Sequence, residues 1–203
     1  MPNYVLKGKQ VGLSPPSKEY MDHYLRWIND LRVNRYLGFF GTVFTREEEE
    51  DWYEEATGRD DQQIFTIHHL KAQQPIGNCG LSDLDHRNRS ASAGIFIGEA
   101  QARNKGLGTE ALTLLLDYGF SALSLQSVNL ELIEYNDRAK RVYEKVGFRE
   151  VGHLRRGELV DGEFYDRILM DILREEFYAK NSSLIRDNFL SEIEEDGETS
   201  PKA

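Results

Sequence analysis

QARNKGLGTEA, residues 101–111, joins an apolar run, SAGIFIG (92–98), to a leucine-rich stretch, LGTEALTLLLDYGF (107–120). In the latter, Leu107, Ala111, Leu114, Leu115 and Tyr118 fall on one helical stripe. A strand, a glycine-bearing loop and a helix in that order make a site for phosphate. Gly106 and Gly108 let the backbone approach a ligand closely, and the helix start offers unpaired N–H groups and the positive end of its dipole. Arg103 and Lys105 add formal charge. A glycine-rich turn with exposed basic residues is the plainer alternative.

Phosphate motifs differ in spacing. A Walker loop needs GxxxxGK followed by Ser or Thr, and no stretch of the chain fits. GLGTEA (106–111) does satisfy the dinucleotide pattern GxGxxG/A. Two features count against that reading: seven residues separate Gly98 from Gly106, and the remaining half-chain ends in an antiparallel hairpin instead of further β-α units.

The flanking sequence predicts a mixed α/β order. YMDHYLRWINDL (20–31) places Met21, Tyr24, Leu25, Ile28 and Leu31 on one helical face. Thr45 and Glu48 form a capping box for a second helix that Gly58 ends. The five consecutive acids at 47–51 read as dipole compensation on a solvated helix. QIFTIHHL (63–70) and PIGNCGLSDL (75–84) read as a hairpin, and VNLELIEY (128–135) as a strand. Asn136 caps the helix DRAKRVYEKV, which Gly147 stops; FREVGHL and EFYDRILMDIL then pair through the Asp161-Gly162 turn. Helices come first in this order, then a hairpin, a β-α-β unit, one more helix and a final hairpin.

Composition narrows the function. Thirty-five carboxylates against 25 Lys and Arg give a net charge of −10, which argues against nucleic acid as a partner and is compatible with a cationic small molecule, although an acidic surface more often only keeps a protein in solution. The one cysteine, Cys79, excludes an internal disulfide and reads as a small packed hydrophobe in a reducing compartment, the cytoplasm. No stretch approaches the ~20 apolar residues of a membrane span. His68 and His69 point to opposite faces of a strand, His23, His86 and His153 are scattered, and no metal site is expected. Residues 1–180 read as a single domain, and residues 181–203 as a C-terminal segment whose acidic end, SEIEEDGETSPKA (191–203), is expected to be disordered.

RNKGLG (103–108) resembles the acyl-CoA loop [Q/R]-x-x-G-x-[G/A] of the GNAT family of N-acetyltransferases. NDRAKRVYEKVGF (136–148) resembles the family's second motif, with Asn, Ala and Tyr spaced ahead of a GF strand start. The wording of residues 76–177 is most similar to the RimJ/RimL-type branch and its relatives, the spermidine acetyltransferases; the first 60 residues match more loosely.

The resemblance implies an acyl-CoA N-acyltransferase fold: a central mixed, mostly antiparallel sheet flanked by helices, with two strands splayed to hold acetyl-CoA as co-substrate. It implies that Phe96, Ile97 and Gly98 meet the pantetheine arm, and that Arg103, Asn104, Lys105, Gly106, Leu107, Gly108 and Thr109 wrap the pyrophosphate. It also implies that Asn136 anchors the arm from the other side and that Tyr143 is the general acid that protonates the departing thiolate. The helix-cap reading of Asn136 and the core-aromatic reading of Tyr143 stand beside these roles. A free N–H near Ile97 would receive charge developing on the carbonyl oxygen.

The family's usual glutamate before the phosphate loop is replaced here by Ser92 or Ala93, so the base stays unassigned among Glu131, Glu134, Asp83, Asp85 and a water chain. The implied acceptor is a primary amine, either a polyamine, another small molecule or a peptide N-terminus. It would meet residues 36–40, Trp52 and Tyr165. Family members also form homodimers. An acyl-CoA-binding or partner-binding module without turnover is the alternative, and the missing glutamate is its support.

Overall fold

The computed structural model describes residues 2–185. A β-hairpin begins it: β1 (Leu6–Lys7) pairs with β2 (Val11–Ser14). Three helices follow, α1 (Met21–Ile28), α2 (Leu31–Asn34) and α3 (Arg46–Gly58). Then come β3 (Gln63–His69), β4 (Gln74–Asp85), β5 (Ser90–Ile97), α4 (Leu107–Ser121) and β6 (Ser127–Ile133). The last elements are α5 (Asp137–Val146), β7 (Arg149–Val160), β8 (Glu163–Leu173) and α6 (Arg174–Lys180). All eight strands form one sheet in the order β1-β2-β3-β4-β5-β6-β8-β7.

Every pairing but one is antiparallel. The exception joins β5 to β6 in parallel, and α4 makes the crossover that a parallel pair requires. That pairing lasts only from Ser90↔Ser127 to Ser92↔Asn129. At its end Ser92 Oγ donates to Asn129 Oδ1 (2.8 Å) and Asn129 Nδ2 donates to the Ala91 carbonyl (3.2 Å), which ties the strands at the fork. Beyond it the two strands part, so the backbone edges that face each other across the gap have lost their ladder. The implied mixed, mostly antiparallel sheet with splayed strands is therefore what the chain forms.

The core explains which elements are rigid. Leu107, Ala111, Leu112, Leu115, Leu116 and Phe120 bury α4 almost all round. Ile168, Met170 and Ile172 alternate on β8 with the period of two that a one-sided strand needs. His68 is fully buried with Nε2 against Ser14 Oγ (2.9 Å), whereas His69 on the opposite face is half-buried. Asp161 and Gly162 both have positive φ (52° and 81°), the geometry of a tight hairpin turn.

Three expectations are corrected. Two short strands precede the helices, because VGLS is too short to show a period although all four residues are buried. The first helix stops at Ile28: Asn29 brackets Phe44 with side-chain bonds to its N (2.8 Å) and O (2.9 Å), and Asp30 caps a new helix at Arg32 N (2.9 Å). Leu31 therefore leaves the apolar face, at 54% exposure, and Trp27 takes the buried place. The chain after β8 adds α6, whose Phe177 is fully buried. Residues 181–185 stay attached, with Ile185 N donating to Asp117 Oδ2 (3.0 Å); the acidic stretch 191–203 lies outside the described residues.

Candidate active site

The gap between β5 and β6 is a cleft of about 170 Å³, closed at one end by the start of α4 and at the side by α5. Gly106 caps α4 with φ of +81°, a left-handed conformation that an L side chain adopts only with strain. Glu110 N is the first amide of α4 bonded within the helix, to Gly106 O (3.0 Å), which leaves the N–H groups of residues 107–109 without a partner inside the helix. Arg103 fixes the loop: Nε donates to Ile97 O (3.0 Å) and Nη2 to Gly98 O (2.9 Å).

Nine of the expected residues line this cleft: Phe96, Ile97, Arg103, Asn104, Gly106, Gly108, Thr109, Asn136 and Tyr143. Three do not line it with their side chains. The Gly98 Cα is pressed against the Trp27 indole, so that a Cβ there would overlap the ring. Leu107 is a core residue, and Lys105 is exposed beside the loop. Two cations not expected from sequence, Arg32 and Arg138, line the cleft from α2 and α5 beside Arg103, Arg32 with its Nε and Nη2 on the Asp30 carboxylate (both 2.9 Å). Burial and the Arg138 guanidinium lower the Arg103 pKa, and Arg138 also lies over the Tyr36 ring (5.8 Å). Arg32 sits in no recognisable motif, and Arg138 lies within the 136–148 stretch but is not one of its marked positions; only the fold brings the two together.

Asn136 does double duty by position. Its Oδ1 accepts from Ala139 N (3.2 Å) as the cap of α5, and the same residue borders the cleft. Tyr143 lies on the buried face of α5, 7% exposed, with its ring edge-on to Phe148 (5.8 Å). Burial pushes its pKa up to about 12, so the phenol is a proton donor throughout the physiological range.

The carboxylates considered for the base are occupied or remote. Glu131 borders the cleft but is paired with Arg167 Nη1 (2.8 Å), and Glu134 accepts from Asp166 N (2.9 Å). Asp85 holds Asn88 (2.8 and 2.6 Å), and Asp83 is exposed.

A second, larger cavity of about 430 Å³ adjoins the first, sharing Leu37, Ile95 and Phe96 with it. Of the residues expected at the acceptor, Leu37, Phe39 and Trp52 line it. Tyr36 faces the cleft instead, and Tyr165 meets the Tyr135 ring edge-on (4.7 Å between centroids). Glu49 also lines the second cavity, which corrects the solvated reading of the acidic run. It is only 7% exposed, on a helical face with Trp52, Tyr53 and Ala56, while its acidic neighbours are exposed. That i, i+3, i+4, i+7 spacing was visible in the sequence but masked by the uniform charge. Burial raises the Glu49 pKa from 4.5 to about 7. Cys79 borders the same cavity at 3% exposure, its thiol pushed up by burial. Among the described residues no group of three or more His, Cys, Asp or Glu is assembled for a metal.

Residues 10–149 match the family model described as acetyltransferase (GNAT) domain. Spermidine N(1)-acetyltransferase of Escherichia coli (strain K12) is 30% identical over 110 residues, which is 54% of this chain and 59% of that protein. The match thus spans less than two thirds of that relative's length. A spermidine N-acetyltransferase from Vibrio cholerae, solved with CoA and spermine, superposes with a TM-score of 0.78 at 24% identity, covering 84% of this chain and 99% of that one. RimJ of Mycobacterium smegmatis, solved with CoA-disulfide, superposes with a TM-score of 0.73 at 23% identity, covering 82% and 83%. At these identities the superpositions speak for the fold.

Proposed function

This chain belongs to the acetyltransferase (GNAT) family, and from that premise we propose that it transfers the acetyl group of acetyl-CoA to an amine by direct attack in a ternary complex. The observation that carries the reading is the cleft at the β5–β6 fork, which gathers a helix N-terminus, three arginines and a buried phenol.

Those features fit acetyl-CoA chemically. The amides of residues 107–109, with Arg32, Arg103 and Arg138, would hold phosphate, on a chain whose net charge of −10 gives no general affinity for anions. The unpaired edges of β5 and β6 would hold the amides of the pantetheine arm, with Asn136 beside them. Bound there, acetyl-CoA supplies an electrophilic thioester carbon. Alternate N–H groups of β5 beyond Ser92 face the gap and can donate to charge developing on the thioester oxygen. Tyr143 can hand its proton to the departing sulfur.

Spermidine and related amines are acceptors by similarity to the relatives named above, and a peptide N-terminus is the other amine considered. Self-association through the exposed apolar residues of the β7–β8 hairpin, Val151, Leu159 and Phe164, is part of the reading, and light scattering tests it. The cytoplasm is the compartment that a buried, unpaired Cys79 suits.

The experiment is a thiol-release assay with acetyl-CoA and an amine panel. Tyr143→Phe is expected to keep coenzyme affinity and lose about 10²-fold in turnover; wild-type turnover in that variant would remove Tyr143 from its role. The absence of a glutamate at Ser92 or Ala93 favours one second reading, an acyl-CoA-binding module, for which acetyl-CoA binds and no amine in the panel releases thiol.

A further inference from the structure

The cavity beside the cleft has a chemistry of its own. Five aromatic side chains line it: Tyr24, Phe39, Phe44, Trp52 and Phe96. Its charged lining groups, among the described residues, are carboxylates alone, Glu48 and Glu49. Glu49 is a buried carboxyl that no described residue meets with a hydrogen bond or an ion pair. Asn78, 5% exposed, borders the same space with its Oδ1 buried and unpartnered among the described residues. Glu48 is there too, but its carboxylate accepts from Thr45 N (2.7 Å) and Thr45 Oγ1 (3.0 Å) as the cap of α3. Among the described residues no Lys, Arg or His lines the cavity.

Buried acceptors without donors are costly and call for a donor ligand. A primary ammonium has three N–H donors and a positive charge, which suits a carboxylate. Aromatic faces attract the same cation and also pack an apolar body. Of the two carboxylates, Glu48 is already held by Thr45 at the cap of α3, so Glu49 is the one left without a donor. With no cation in its wall, it offers nothing to a carboxylate on the substrate.

Resting on the transferase reading above, we propose that this cavity is the acceptor site and that it takes a monoamine on an uncharged apolar body, such as an arylalkylamine, with Glu49 receiving the amino group. A polyamine would bring further ammonium groups with no second donor-free carboxylate to meet them, and an amino acid would bring a carboxylate that no cation among the described lining residues can pair. The contact at Leu37, Ile95 and Phe96 puts the amine next to the fork. The N–C bond forms as the thioester C–S bond breaks. Of the two protons the ammonium sheds, one passes to Glu49 and on to solvent, and the other ends on the departing sulfur by way of Tyr143.

The test has two arms on the full chain. In the first, 2-phenylethylamine, spermidine and phenylalanine are titrated calorimetrically into the protein, and acetyl-CoA is titrated separately. In the second, kcat/KM is measured for each amine. The proposal expects 2-phenylethylamine to be preferred by at least about tenfold in binding and in kcat/KM, and Glu49→Gln to weaken that amine by about tenfold or more while leaving acetyl-CoA affinity unchanged. Trp52→Ala should also weaken 2-phenylethylamine, with acetyl-CoA affinity as the check on its folding. Preference for spermidine or phenylalanine, or an unchanged amine affinity in Glu49→Gln, overturns it. Binding of 2-phenylethylamine that Glu49→Gln abolishes, on a protein that does not bind acetyl-CoA, would support the amine site and remove the transferase reading.

Discussion

Replacing Glu49 by Gln should make the free protein more stable, by an amount that depends on pH. The residue is 7% exposed and no described residue offers its carboxyl a donor, so ionising it in the folded state is unfavourable. Its pKa is about 7 in the fold against 4.5 for the ordinary group. Below pH 4.5 both folded and unfolded chains carry it protonated and the substitution changes little. Between 4.5 and 7 the unfolded chain releases the proton and the folded chain keeps it, so stability falls as pH rises. Above 7 the loss is complete. At 1.36 kcal/mol per pKa unit the ceiling is about 3 kcal/mol, and water entering the cavity lowers it toward about 1–2 kcal/mol.

Gln keeps the shape and carries no charge to desolvate. The other titratable groups lining the cavity, Tyr24, Glu48 and Cys79, are common to both proteins and cancel in the comparison. Thermal unfolding of wild type and Glu49→Gln at pH 4.5 and pH 8 measures the difference. At about 2–4 °C per kcal/mol for a chain of this size, the variant should melt several degrees higher at pH 8 and within about a degree at pH 4.5. An equal difference at both pH values, or a less stable variant at pH 8, would refute the reasoning, because Glu49 would then be an ordinary solvated acid or a paired one.

Other predictions follow from single positions. Gly98→Ala drives a methyl into the buried Trp27 ring and disturbs its bond from Nε1 to Glu99 (3.0 Å), and should cost about 2–4 kcal/mol in denaturant unfolding. Gly94→Ala, with no atom within 4 Å of the added carbon, should stay within about 0.5 kcal/mol. Gly106→Ala should cost about 1–2 kcal/mol from its φ of +81° alone, since no atom lies within 4 Å there either. Arg138→Ala should weaken acetyl-CoA about five- to tenfold at low salt and less at 0.5 M salt, read by calorimetry.

What was legible in the sequence was what local pattern carries. The leucine stripe of α4, the Thr45–Glu48 capping box, the Asn136 cap and the Asp161-Gly162 turn are each set by residues a few places apart, and each is where the sequence puts it. The loop between β5 and α4 was legible because its glycines have one plain use, and nine of the twelve expected site residues meet around one cleft. Long-range facts were not legible. Arg32 and Arg138 reach the cleft from helices more than 100 residues apart in sequence. Gly98 looked like a place for a ligand, yet it gives room to Trp27 from α1. Glu49 was hidden among like neighbours, because a run of acids shows no amphipathic period even when one of them turns inward. Leu31 followed the helical spacing until Asn29 and Asp30 ended the helix beneath it.

The central claim is that the fork between β5 and β6 binds acetyl-CoA. A calorimetric titration of the full chain with acetyl-CoA, beside NADPH as a second phosphate-bearing ligand, tests it most directly. One site for acetyl-CoA is expected, lost in Gly106→Glu, with no heat of binding for NADPH. No binding of acetyl-CoA, or binding of NADPH in its place, would contradict it.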